Sequence, residues 1–194
     1  MILSDKDIRV ALKEKKLIIN PSPVKFSTSA VDLRIGGPLS KWDPELVRQA
    51  GTVVELDVDA AQYSKMIRYG RKLTPRDDGS YAIEPGEFVL APTHEKIGLP
   101  RTSKLAAWVE GRSTIARYGL SVHITAPVIH CGYGDPKPRP LTLEMVNYGP
   151  FRLIVHPNRT RICQLVIEKV TNKPSIELDT IFQKQTGPLS FEPE

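Results

Sequence analysis

From residue 105 onward the chain is a series of short apolar runs, LAAWVEG, LSVHI, PLTLEMVN, RLIVH and RICQLVIEKV, punctuated by Gly, Pro and Asn. The turn signals recur at roughly 8–12-residue intervals, which leaves no room for helices of ordinary length. Each run needs a neighbour for its backbone N–H and C=O groups, so this half of the chain is confined to antiparallel sheets closed by tight turns. A sandwich, a jelly roll or a barrel meets that demand. The 17 prolines and 13 glycines among 194 residues fit the same architecture, since Pro removes a backbone donor and Gly permits the turns. A domain of this length buries roughly 70% of the surface its unfolded chain exposes, so it needs neither disulfides nor a structural metal. No internal repeat and no low-complexity linker divides the sequence, and residues 1–194 are expected to form one domain.

The first half is more mixed. Ser4 followed by Asp7 has the form of a capping box, and Ile8, Ala11 and Leu12 fall on one face of a helix expected to end near Lys16. LIINP then begins an extended run. AVDLRIG at 30–36 and TVVELDV at 52–58 have the apolar pattern of strands, while 60–72 fits a short helix or a loop equally well. RDDGS at 76–80 signals a turn, and YAIEPGEFVLAPT predicts two strands broken at Pro85-Gly86. The stretch 171–194 carries three prolines and little periodicity, as expected of a C-terminal arm ordered by something outside itself.

Charge and cysteine content remove several classes of function. The 27 basic and 22 acidic residues leave a net charge of +5 without any run of five like charges, so nucleic acid is not expected as a partner. The same Arg and Lys residues suit a polyphosphate ligand. No apolar stretch approaches the roughly 20 residues that span a bilayer. The N-terminus is charged from its fourth residue, unlike a signal peptide. Cys131 and Cys163 lie far apart with no CxxC string, which argues against a disulfide framework or a cysteine-based zinc site and for a reducing, cytoplasmic setting.

Two segments carry candidate chemistry. In EGRSTIARYGLSVH, Arg112 and Arg117 supply guanidinium forks, Ser113 and Thr114 supply hydroxyls, and Gly111 permits a tight backbone. That combination is either an anion cradle, with Ser113 capping a helical turn, or a capped surface turn with solvated arginines. In PLTLEMVN, alternation puts Thr142, Glu144 and Val146 on one face and Leu141, Leu143 and Met145 on the other. Glu144 then either faces solvent or sits in a pocket for acid–base work. His130 and Cys131, in a loop with Asp135, read as ordinary loop chemistry rather than as a metal site.

EGRSTIARYGLSVHITA, LTLEMVNYG, HPNRTRICQLVIE and the terminal FQKQTGP, in this order, resemble the dCTP deaminase branch of the dUTPase-like family. The N-terminal ILSDKDIRVALKEKKLIINP and AVDLRIG are similar to it as well, and only about 38–80 falls outside the likeness. The resemblance implies a mainly β fold, a dUTPase-like distorted jelly roll or barrel with a short N-terminal helix and a C-terminal arm. It further implies a homotrimer whose sites are shared between subunits and closed by the arm.

Roles carry over position by position. Glu144 matches the family's catalytic glutamate, and Ser113 and Arg117 match residues that hold the site's water and phosphates. Arg112 and Thr114 stand beside them on the triphosphate. Ala126 matches a backbone position near the base, Gln185 matches the glutamine of the arm, and Thr142 shares the face of Glu144. His130 occupies the place of an aspartate that contacts the deoxyribose hydroxyl and, in relatives that cleave the phosphate chain, serves the attacking water. DPKPRP lengthens the loop before Glu144, and Ile181 stands where the arm often carries lysine.

The implied reaction is hydrolytic deamination of dCTP to dUTP and ammonia, without zinc and with Mg2+ held only by the nucleotide phosphates. The HxE and PCxxC strings of zinc deaminases are absent from the sequence. Two alternatives stay open: the same fold acting as a nucleotide diphosphatase or on another cytosine nucleotide, or a non-catalytic nucleotide-binding protein.

Overall fold

A computed structural model describes residues 1–51, 53–58, 63–178 and 180–192. Helix α1 (Asp5–Lys13) starts at a complete capping box, in which the Asp7 N–H donates to Ser4 Oγ and the Ser4 N–H donates to the Asp7 carboxylate. Ile8 and Ala11 face the core. The helix stops three residues before the expected Lys16, because Lys15 takes a left-handed conformation (φ 55°) and the N–H groups of Lys16 and Leu17 both turn back to the Ala11 carbonyl.

Two antiparallel sheets carry the body. One runs β4 (Gly70–Lys72), β3 (Ser40–Trp42), β6 (Phe88–Gly98), β10 (Arg139–Asn147) and β8 (Leu120–Ser121), with β1 (Ile18–Asn20) also paired to β6. The other runs β2 (Val31–Arg34), β12 (Arg161–Lys169), β7 (Leu105–Gly111) and β9 (Val128–Ile129). A ribbon of β5 (Tyr81–Ile83) and β11 (Leu153–Val155), and a C-terminal hairpin of β13 (Gln185–Gly187) and β14 (Ser190–Phe191), complete the strands. Short helices α2 (Pro44–Arg48), α3 (Tyr63–Met66) and α4 (Ser113–Arg117) sit in the connections. No described helix is long and apolar enough to cross a membrane.

Alternation decides what each strand buries. On β10, Leu141, Leu143 and Met145 enter the core while Thr142, Glu144 and Val146 lie half-buried on the opposite face, as the sequence pattern predicts. On β12, Ile162, Cys163, Leu165 and Ile167 are buried. The sheets are pinned together by charge as well. Fully buried Glu95 on β6 accepts from Arg34 of β2, at 2.7 Å from the backbone N–H and 2.7 Å from Nε.

Three sequence expectations are corrected and one ambiguity is resolved. Residues 53–57 of the TVVELDV segment form no strand, and Val53 and Val58 stand 85% and 92% exposed; residue 52 lies outside the described residues. Alternation alone makes no strand where no sheet edge receives it, and the outer edge of β3 is taken by β4. The ambiguous 60–72 segment resolves into α3, a 3₁₀ turn at Ile67–Tyr69 and β4, with 60–62 outside the described residues. Within LSVHI only Leu120–Ser121 is strand. Ser113 is not the cap of its helix: Arg112 holds the N-cap position, and no side chain caps it.

Candidate active site

Strand β10 carries Glu144 opposite Leu90 of β6. The two strands floor a cavity of about 310 Å³ walled by apolar side chains, among them Trp42, Tyr63, Phe88, Leu90 and Phe182. Among the described residues Glu144 makes no ion pair, and burial pushes its carboxyl above the ordinary carboxylate range. A carboxyl raised in this way is a stronger base toward water than one at the usual value, and so better suited to take a proton and return it.

Two further groups mark the cavity as a place for a polar guest. His123 Nδ1 and Thr142 Oγ1 are buried, line the cavity and have no hydrogen-bond partner. A buried polar group left unpaired costs roughly 1–3 kcal/mol, so a ligand that supplies partners regains that energy on entering. Ala126, Gln185, Ile129 and Tyr133 also line the cavity. Burial also raises the Tyr133 phenol, whose hydroxyl donates to the Pro140 carbonyl at 2.8 Å.

The C-terminal arm lies over this cavity, ordered by the body of its own chain. Arg101 Nε donates to the Pro174 carbonyl at 3.2 Å, and its Nη1 pairs with Glu177 at 2.6 Å. The Gln183 carboxamide bridges the 132–134 loop in both directions, donating to the Gly132 carbonyl and accepting from the Gly134 N–H, each at 2.9 Å. Glu192 pairs with Lys137 and, at 2.6 Å, with Arg139. The DPKPRP loop therefore acts as the counter-surface of the arm: Lys137 and Arg139 hold its end, while Asp135 accepts from the Arg101 N–H at 3.1 Å. Residues 179, 193 and 194 of the arm, and the side chain of Ile181, lie outside the described residues.

The expected site residues divide into two groups. Glu144, Thr142, Ala126 and Gln185 are brought together around the cavity. Ser113, Thr114 and Arg117 stand exposed on α4, and His130 is exposed after β9; none of them lines the cavity. Arg112 turns inward instead, its Nη1 donating to the Arg161 carbonyl at 3.1 Å and its Nε lying 3.7 Å from the buried Asp32 carboxylate. Asp32 is held as well by Arg161 at 2.8 Å and Gln164 at 3.1 Å. Sequence reasoning missed Tyr63, Trp42, Phe88 and His123. His123 lies within the LSVHITA string and was open to notice as a polar interruption of an apolar run. Tyr63 carries no local signal, because its segment reads equally as helix or loop.

A model of the dCTP deaminase-like family matches residues 2–170. The dUMP-forming dCTP deaminase of Methanosphaera stadtmanae is 34% identical over 194 residues, covering 96% of this chain and 91% of that protein. The dUMP-forming dCTP deaminase of Methanothermobacter thermautotrophicus is 36% identical over 174 residues, covering 88% and 80%. A dCTP deaminase of Buchnera aphidicola subsp. Baizongia pistaciae is 32% identical over 180 residues, covering 91% and 87%. Among solved structures, the 2'-deoxycytidine 5'-triphosphate deaminase of Agrobacterium tumefaciens matches 86% of this chain with a TM-score of 0.59 at 19% identity, and this chain spans 47% of its length. That structural likeness carries the mainly β fold, and the sequence matches carry the kinship. This chain belongs to the dCTP deaminase-like family.

Proposed function

We propose that the protein deaminates dCTP hydrolytically, with its magnesium-bound triphosphate as substrate and Glu144 as the proton-transfer group. The observation that carries this reading is the half-buried Glu144, without an ion pair among the described residues, at the floor of a cavity where His123 Nδ1 and Thr142 Oγ1 also lack hydrogen-bond partners. The Glu144 carboxylate takes a proton from water as the water oxygen bonds to C4 of the cytosine ring, and N3 receives a proton. A proton then passes to the exocyclic amine, the C4–N bond breaks, and ammonia leaves a uracil ring. The chemistry needs no zinc. Cys163 is wholly buried with its thiol pushed up by that burial, and Cys131 lies in a separate loop, so the two cysteines do not converge on the cavity.

One chain supplies the base but leaves Ser113, Thr114 and Arg117 exposed and outside the lining of its own cavity. We read these residues as serving the triphosphate in the site of a neighbouring copy, with Arg112 bracing the start of α4 through Asp32. A trimer with shared sites meets that requirement, and the exposed Trp108 and Val128 on paired positions of β7 and β9 offer apolar surface for association. dUTP is the product of the deamination step. A second hydrolysis to dUMP is favoured by the dUMP-forming names of the relatives.

Incubation with magnesium and, separately, dCTP, CTP, dUTP and dCMP, with products read by mass spectrometry, tests the proposal. Loss of the amino group from dCTP is the expected result, and pyrophosphate release identifies the second hydrolysis. An unchanged dCTP sample would overturn the deaminase reading.

A further inference from the structure

Tyr63 belongs to the part of the chain that lies outside the sequence blocks carrying the family resemblance, yet it lines the Glu144 cavity. Its ring meets three others edge to face: Trp42 at 6.2 Å, Phe182 at 5.4 Å and Phe191 at 6.1 Å between centroids. Trp42 comes from the sheet, while Phe182 and Phe191 come from the arm. The Tyr63 hydroxyl donates to the Pro188 carbonyl at 2.7 Å. That carbonyl also accepts from the buried Gln185 carboxamide at 3.3 Å. One acceptor therefore joins Tyr63 to the arm residue that lines the Glu144 cavity. Seven residues later, Gly70 receives the Leu189 side chain against its bare Cα, where a Cβ would collide with Leu189. The 63–70 segment is thus the seat on which the arm's hairpin rests.

We propose that Tyr63 is a positioning residue for the deamination reaction, setting through the Pro188 carbonyl the depth at which the arm and its Gln185 carboxamide close over Glu144. The role rests on the deaminase reading above. Its physical content is water exclusion. Aromatic edges seal the rim, and the hydroxyl fixes the arm in one register where the rings alone would let it slide. Desolvation and the Glu144 charge both raise the Tyr63 phenol, which places the two groups in one low-dielectric space. Among the described residues, the titratable groups that share the cavity with Glu144 are Tyr63, His123 and Tyr133, and no Lys, Arg or Asp lines it. The basicity of Glu144 therefore depends on how well the arm keeps water out.

Tyr63→Phe keeps the ring cluster and removes only the bond to Pro188. Two measurements on the full chain test the role: amide hydrogen exchange over 183–191, and kcat and KM for magnesium dCTP across a pH series. The expected result is arm exchange faster by about tenfold, the loss of roughly one net hydrogen bond. kcat is expected to fall by a similar factor with a smaller change in KM. The acid limb of the kcat profile should move to lower pH, as water reaching Glu144 lowers its carboxyl toward the ordinary value. A tyrosine that merely fills space would not move that limb. Wild-type kcat and an unmoved acid limb in Tyr63→Phe would overturn the role of Tyr63 alone. Absence of dCTP turnover in the wild-type protein would overturn the deaminase reading, and this role with it.

Discussion

Glu144 and Asp32 are both carboxylates on strands, and their surroundings give them opposite uses. Asp32 is buried but surrounded by Arg161, Gln164 and Arg112, so its charge is answered at every side. Glu144 has no such partner, and burial raises its carboxyl. A group whose folded pKa lies above its unfolded value contributes stability below the unfolded pKa and loses it as pH rises through the folded one. Glu144→Gln removes that loss, so its unfolding temperature should exceed that of the wild type at pH 8 and match it at pH 4, as read by calorimetry. The same variant should lose turnover by about 10²–10⁴-fold, the usual contribution of a positioned acid–base group, and still bind dCTP in titration calorimetry. The face on which Glu144 lies was legible from alternation in LTLEMVN. Its isolation from cations was not, because that depends on which loops fold over the strand. Arg112 makes the same point from the other side: its residue type promised a ligand for phosphate, and only the fold shows a buried carboxylate closer at hand.

Between elements, two contacts tie separate parts of the body together. The Arg34–Glu95 pair ties β2 to β6, and so one sheet to the other. Removing one partner of a buried pair strands the other, at a cost of about 3–5 kcal/mol; Glu95→Ala should therefore shift the urea midpoint sharply downward. At the end of α4, Gly119 takes φ +91° and approaches Gly149 so closely that a Cβ would collide with the Gly149 nitrogen, which fixes α4 against the β10–β11 turn. The end of the arm is held by charge, with Glu192 between exposed Lys137 and buried Arg139. Hydrogen bonding and attraction from Arg139 and Lys137 bring the Glu192 carboxyl down to about 2, so this contact should persist unchanged from pH 8 to pH 4 and weaken with salt instead. Glu192→Gln leaves the buried Arg139 guanidinium without its carboxylate and should lower the unfolding temperature, by about 2–4 °C for each kcal/mol lost, while raising the rate of tryptic cleavage at Lys184. DPKPRP looks like a mere lengthening of a loop when read along the sequence. Its meaning appears only with its partner, 55 residues away along the chain for Lys137 and Glu192.

For the molecule as a whole, a β-rich body with a capped N-terminal helix followed from the spacing of turns and from Ser4 and Asp7. The missing strand at 53–57 and the docking of the arm did not, since both depend on which sheet edges and loops are already occupied. The proposed sharing of sites, with Ser113 and Arg117 serving a neighbouring copy, has a direct test: sedimentation velocity at micromolar concentration should give the mass of a trimer, and a purely monomeric protein should be inactive. The seat of the arm also carries its own optical reporter. The chain has two tryptophans. Trp108 is 40% exposed and donates to Glu168 at 3.1 Å on the outer face of β7, whereas Trp42 packs against Tyr63 within the ring cluster that receives the arm. In a Trp108→Phe background the remaining indole emission would follow the hydration of the cavity rim, red-shifting as the arm lifts and blue-shifting as it seats. Opening and closing can then be timed by stopped-flow fluorescence, without attaching any dye.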